Sequence, residues 1–183
     1  MIKVLFICHG NICRSPMAEF VMKDLVEKAG ISAQFEIASA ATSTEEIGNP
    51  VYPPARRKLA EHGICCAGKT TRQMTQRDYE TYDYLIAMDR NNLRNMARFV
   101  GSDPEHKVSL LMDHTSRPGD VADPWYTGDF EATWQDVLEE FPIVKDTTPN
   151  MMNPRLYTTS YNKPQGQQFD DTAVLSFIKL QYT

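Results

Sequence analysis

Apolar residues open the chain in a nearly unbroken run from Ile2 to Ile7, the pattern of a parallel strand covered on both faces. Ser15-Pro16 then reads as a helix start, because proline fixes φ and its missing donor costs nothing there. Met17, Phe20, Val21, Leu25 and Ala29 recur near helical spacing, and Gly30 supplies the stop. Further along, the pattern predicts a strand at Phe35–Ser39, a helix from about Pro54 to His62 ended by Gly63, and a short helical turn capped by Thr75. A third strand follows at Asp83–Met88, a helix at Asn91–Val100, a fourth strand at Lys107–Met112 and a last helix at Asp129–Phe141. Strands alternating with helices predict a doubly wound α/β fold on a small parallel sheet, whose ligands bind beyond the carboxyl ends of the strands.

From 142 to 183 the character changes. Pro142 breaks the helix, and Pro149, Pro154 and Pro164 fall among Thr, Asn and Gln. That stretch reads as an atypical extension or linker, with Thr172–Tyr182 regaining apolar content as a docking element. The expected division is a catalytic domain over 1–141 and the extension over 142–183. The 183-residue chain suits one domain with a real core, and a net charge of −5 argues against a nucleic-acid partner. No stretch approaches the roughly 18 apolar residues of a membrane span, so no membrane insertion is expected. Its four cysteines, at 8, 13, 65 and 66, match neither a zinc pair of pairs nor a secreted disulfide framework. The expected compartment is therefore the cytoplasm; no cofactor is expected.

The chemistry gathers where the first strand ends, in Cys8-His9-Gly10-Asn11-Ile12-Cys13-Arg14-Ser15. Successive backbone N–H groups in a strand-to-helix turn form an anion nest, helped by the positive end of the helix. Gly10 permits φ > 0 and Asn11 tolerates it. Arg14 offers a planar fork for two phosphate oxygens. The same surroundings favour an anionic sulfur, so Cys8 is the expected nucleophile, with Ser15 donating to it. A nucleophile at the floor of a phosphate cradle implies covalent phosphoryl transfer.

Such a reaction needs a proton donor for the leaving oxygen. Asp123-Pro124-Trp125-Tyr126, in a polar loop after the fourth strand, can reach the same face of the sheet. Asp123 would protonate the leaving group and then activate water, while Trp125 and Tyr126 wall a slot for an aromatic ring.

These residues resemble the low-molecular-weight protein-tyrosine phosphatases: VLFICHGNICRSPMAE is similar to their signature loop, and DPWY to their general-acid loop. Weaker similarity runs through SAATSTEEIGNP, HGI and RQMT to the strand ending Ala87-Met88-Asp89. The resemblance implies a four-stranded parallel sheet, metal-free hydrolysis and a phosphocysteine intermediate. It assigns Cys8 as nucleophile, Arg14 as phosphate clamp and Asp123 as acid/base, with His9, Gly10, Asn11, Ile12, Cys13 and Ser15 forming the substrate cup. Ser39 would support Asn11 from beneath. It also implies that Cys13 can trap an oxidised Cys8 as a disulfide; simple packing of Cys13 in the loop is the other reading. Cys65 and Cys66 read as structural.

Three departures accompany the resemblance. Lys69 stands where the family often has a histidine bonded into the loop's support. Glu45 replaces an aromatic at the edge of the slot and disfavours anionic peptide flanks. Pro142 interrupts the last helix. The expected partner is a phosphotyrosine protein or aryl phosphate, with inorganic phosphate as product and the oligomeric state open. A protein-arginine phosphatase of the same fold is the nearer rival, but that subgroup tends to carry threonine at the position of Ile12. Arsenate reduction would need better-spaced relay cysteines than Cys65-Cys66. A non-catalytic phosphate-binding or thiol redox module would have no use for Asp123.

Overall fold

The computed structural model describes residues 1–140, so the extension from 142 onward, including Pro142, lies outside the described residues. Its strands are β1 (Ile2–Cys8), β2 (Phe35–Ala41), β3 (Tyr84–Ala87) and β4 (Val108–Leu110). The helices are α1 (Arg14–Lys28), α2 (Pro53–Glu61), α3 (Gln76–Thr81), α4 (Arg90–Val100), α5 (Pro124–Thr127) and α6 (Phe130–Glu140), with 3₁₀ turns at Ser32–Gln34 and Leu111–His114.

The four strands pair in the order β2-β1-β3-β4, and every pairing is parallel. β1 is central, and Val4 to Cys8 are all buried. This explains the unbroken apolar run: both faces of the strand are covered. Leu5 and Ile7 face a core built with Tyr79, Tyr82, Leu85 and Met96, the side of α3 and α4. Val4 and Phe6, pointing oppositely by the period of two, face the α1 side.

The chain leaves β1 toward β2 on one side, then returns across to β3 and on to β4 on the other. With right-handed crossovers, the direction change puts α1 on one face and α3 and α4 on the other. The carboxyl ends of β1 and β3 are thus left as the point where connections diverge, the crevice in which doubly wound sheets hold ligands.

The predicted elements recur with shifted ends. The fourth strand is shorter than expected because it pairs with β3 only from Val108 to Leu110, after which the chain turns into the 3₁₀ segment. The expected polar loop at Asp123 is instead a single helical turn. Asp123 caps it by accepting from Trp125 N–H, Pro124 takes the first position, and Gly128 at φ 71° closes it.

Candidate active site

β1 carries Cys8 to the carboxyl edge of the sheet, and α1 begins at Arg14. The carbonyls between them are tied outward. Cys8 O accepts from Thr42 N–H at 2.9 Å, His9 O from Ser43 N–H at 3.0 Å and Ile12 O from Tyr52 N–H at 2.8 Å. Asn11 O accepts from the Thr71 hydroxyl at 3.0 Å. A trans peptide points its N–H opposite to its C=O, so each outward carbonyl turns the next N–H toward the interior of the loop. The N–H groups of His9, Gly10, Ile12 and Cys13 are aimed that way. Asn11 N–H is directed at Cys8 Sγ, 3.2 Å away. A ring of main-chain donors around one sulfur is an oxyanion-sized cup.

Of the two positions where the sequence allows positive φ in this loop, Asn11 adopts it, at 55°, and Gly10 does not. Gly10 matters for space: a Cβ there would meet Glu46 Cγ at 3.3 Å, so glycine lets the Glu46 side chain close over the loop.

Beneath the cup, polar groups form a directed chain. Asn11 Nδ2 donates to Ser15 Oγ at 2.8 Å and to Ser39 Oγ at 2.7 Å. Ser39 Oγ donates to Glu19 Oε2 at 2.5 Å, and Ser15 Oγ lies 3.0 Å from Cys8 Sγ. The directions follow from chemistry. A carboxylate can only accept, so Ser39 spends its proton on Glu19 and must accept from Asn11. Ser15 likewise accepts from Asn11, which leaves its own proton for the sulfur. Ser39 thus lies under Asn11.

Glu19 is 3% exposed and anchors this chain. It pairs with Lys69 at 2.8 Å and Lys23 at 2.5 Å. Burial pushes its carboxyl up, but Lys69, Lys23 and Ser39 outweigh it and hold Glu19 below the usual carboxylate range. Lys69 also donates to Ser39 O at 3.0 Å. The lysine that departs from the family pattern thus reaches both the acid and the main chain of the support.

Arg14, 3% exposed, stands at the start of α1 between two carboxylates. Its Nη1 lies 2.6 Å from Asp89 Oδ2 and its Nη2 2.5 Å from Asp123 Oδ2. Burial pulls the guanidinium down, yet Cys8, Asp123 and Asp89 together raise it, so the charge is secure. Asp89 is itself fixed, its Oδ1 accepting from Asn92 N–H at 2.6 Å as the cap of α4. Cys13 is pushed up to about 12 by burial, then by Cys8 and Asp123, and is a neutral thiol at ordinary pH.

The remaining expected residues sit at the rim. His9 is exposed and contacts Glu45 at 3.1 Å. Trp125 is 56% exposed and lies against Tyr52, with ring centroids 5.3 Å apart, while Tyr126 is 85% exposed. Asp89, Glu19, Thr71 and Tyr52 were not singled out by sequence reasoning. Only Glu19 carried a signal, an acid among apolar residues at the start of α1. The others come from distant segments and meet the loop only through the fold. All four cysteines are free, and among the described residues no cluster of three or more His, Cys, Asp or Glu could hold a metal. No helix among those residues is long and apolar enough to cross a membrane.

The site and fold have known counterparts. The chain belongs to the low molecular weight phosphotyrosine protein phosphatase family, whose model matches residues 3–144. The low molecular weight protein-tyrosine-phosphatase YfkJ of Bacillus subtilis is 39% identical over 137 residues, 74% of this chain and 88% of that protein. The crystal structure of YfkJ aligns with a TM-score of 0.72, over 75% of this chain and 87% of that one. SP-PTP, a low molecular weight protein tyrosine phosphatase from Streptococcus pyogenes, aligns at 43% identity and a TM-score of 0.67, covering 75% and 86%. The structure of DARP, a drosophila arginine phosphatase, aligns at 31% identity and 0.68, covering 75% and 92%.

Proposed function

We propose that this protein hydrolyses phosphotyrosine monoesters through a phosphocysteine intermediate, without a metal. One observation carries the reading: Cys8 Sγ lies 3.2 Å from Asn11 N and 3.0 Å from Ser15 Oγ, at the floor of a ring of main-chain N–H groups. That environment stabilises an anionic sulfur, and after attack it stabilises the same sulfur as a leaving group.

The phosphoryl group enters the cup with its oxygens on the loop N–H groups and on Arg14. Cys8 Sγ forms the S–P bond as the P–O bond to the phenol breaks, and Asp123 gives its proton to the departing oxygen. Asp123 then takes a proton from water, whose oxygen attacks phosphorus. Phosphate is released and the sulfur is regenerated. Asp89 and the Glu19–Ser39–Asn11–Ser15 chain hold Arg14 and the loop in place, so little reorganisation is needed at the moment of reaction.

Phosphotyrosine is favoured over phosphoserine because exposed Trp125 and Tyr126, which follow Asp123 closely in the chain, offer aromatic surface that a phenyl ring can use and a serine stem cannot. Ile12 favours phosphotyrosine over phosphoarginine, since it offers no hydroxyl to the substrate. The likeness to a drosophila arginine phosphatase makes both phosphotyrosine and phosphoarginine necessary substrates in the test. Four free cysteines suit a reducing compartment, and we assign the protein to the cytoplasm.

The test is hydrolysis of p-nitrophenyl phosphate, a phosphotyrosine peptide and a phosphoarginine peptide, with chelator present. Turnover of the first two that survives chelation, is competed by vanadate and disappears in Cys8→Ser supports the proposal. Activity confined to phosphoarginine, or retained in Cys8→Ser, overturns it.

A further inference from the structure

Beside the cup lies a groove of about 410 Å³, lined by Tyr52, Pro54, Arg57, Pro124, Trp125 and Phe130. Two of its lining segments are tied to the site. On one side Tyr52 N–H bonds Ile12 of the loop, and on the other Pro124 directly follows Asp123. These ties place the lining of the groove next to a residue of the cup and next to Asp123.

Its floor is aromatic. Tyr52 lies against Trp125 with ring centroids 5.3 Å apart and against Phe130 at 6.2 Å. Half of the indole remains in solvent, a surface that folding leaves uncovered.

The charge pattern names the occupant. Arg57 is exposed and has no carboxylate or hydrogen-bond partner among the described residues. Its neighbour on α2, Lys58, is claimed by Glu61 and Glu131, and Arg14, Lys69 and Arg72 are likewise paired. A free guanidinium at the mouth of an aromatic groove fits a carboxylate carried on an apolar stem. Elsewhere along the loop the rim is acidic: Glu45 lies on His9, and Glu46 packs at Gly10. A peptide held by its phosphotyrosine therefore meets attraction for an acidic residue at Arg57 and repulsion at Glu45 and Glu46.

We infer that the groove is a substrate subsite for an Asp or Glu flanking the phosphotyrosine. The carboxylate pairs with Arg57, and the residue's stem and backbone lie on the rings of Tyr52 and Trp125. This rests on the phosphotyrosine reading and adds direction to it: the acidic flank is bound on the α2 side.

Wild type and Arg57→Glu are compared by kcat/KM on three phosphotyrosine peptides, with acidic, neutral or lysine flanks, and on p-nitrophenyl phosphate. Wild type is expected to favour the acidic over the neutral peptide by about fivefold at low salt, with the preference fading at high salt. Arg57→Glu should remove or invert it and leave p-nitrophenyl phosphate turnover unchanged. Equal loss on every substrate, or an unaltered preference, overturns the subsite. If a second copy of the chain occupies the groove instead, turnover per enzyme falls as enzyme concentration rises and Arg57→Glu abolishes that fall; this too overturns it. If wild type hydrolyses none of these substrates, the catalytic reading has failed. The subsite is then judged by equilibrium binding of the same peptides to Cys8→Ser, where loss of the acidic preference on adding Arg57→Glu upholds it and an unchanged preference overturns it.

Discussion

Asp123 Oδ2 lies 2.5 Å from Arg14 Nη2, so the proposed acid and the proposed phosphate clamp are partners in the same ion pair. A phosphate dianion brought against Nη2 competes with this carboxylate for the guanidinium and, where it wins, displaces it. Displacement frees Asp123 to face the leaving oxygen, which couples filling of the cup to placement of the acid.

Removing that competition has opposite effects on binding and turnover. Asp123→Asn should bind inorganic phosphate more tightly, by about threefold to tenfold, since the amide is a weaker rival for Arg14. Its kcat should fall by roughly 10²–10⁴ for esters with poor leaving groups and far less for good ones. Phosphate inhibition constants and a leaving-group series measure both. Weaker phosphate binding, or equal losses across the series, would exclude the coupling.

Much of this arrangement is legible in the chain. The apolar run to Ile7, the Ser15-Pro16 start and the Cys8–Arg14 spacing place the cup because they are local: one strand, one turn and one helix make it. Asp123 is legible only by type, since its approach to Arg14 depends on two remote segments. Asp89 is hidden as an ordinary helix cap, and its second oxygen becomes informative only when β3 lies beside β1. Thr71 is hidden because a hydroxyl that bonds a carbonyl leaves no pattern. Which of Gly10 and Asn11 takes positive φ was beyond composition as well, because either residue tolerates it and the close approach of Glu46 to Gly10 arises only in the fold.

Lys69 offers a test of the support. Removing it by Lys69→Met leaves Glu19 buried with Lys23 as its remaining cation. Breaking a buried pair outright costs about 3–5 kcal/mol, and the retained Lys23 should hold the loss to about 2 kcal/mol. Thermal unfolding gives that number. Because Lys69 also holds Ser39 O, kcat should fall while KM for p-nitrophenyl phosphate changes little. Lys69→His should recover part of both losses. A variant with full kcat and reduced stability would confine Lys69 to folding.

The same carboxylate sets a pH dependence. Glu19 is held below its unfolded value, so the folded state binds fewer protons there than the unfolded chain. Its stabilising contribution is present above the unfolded value of about 4.3 and is lost as pH falls through the folded one. Glu19→Gln should therefore lose part of the acid-side fall in stability that wild type shows below about pH 4.3. Denaturant unfolding across pH 3–7 measures the two slopes. Parallel curves would mean that Glu19 titrates alike in both states.

Cys13 makes the last case. At about 12, its thiol is neutral throughout the physiological range, and burial keeps reagents from it as well. Thiolate is the reactive form, so Cys13 should resist iodoacetamide at pH 7–9 while exposed Cys65 is modified. Mass spectrometry of each site over time separates them. The consequence reaches oxidation chemistry. If Cys8 is oxidised to a sulfenic acid, attack by Cys13 forms the S–S bond and releases water, and the thiol proton must leave first. The rate of disulfide formation in peroxide-treated protein should then climb by about tenfold per pH unit between pH 6 and 9, tracking the small thiolate fraction of a group this weakly acidic. A rate that levels off near pH 8 would show that oxidation at Cys8 removes enough of the repulsion raising Cys13 that burial and Asp123 no longer hold its proton.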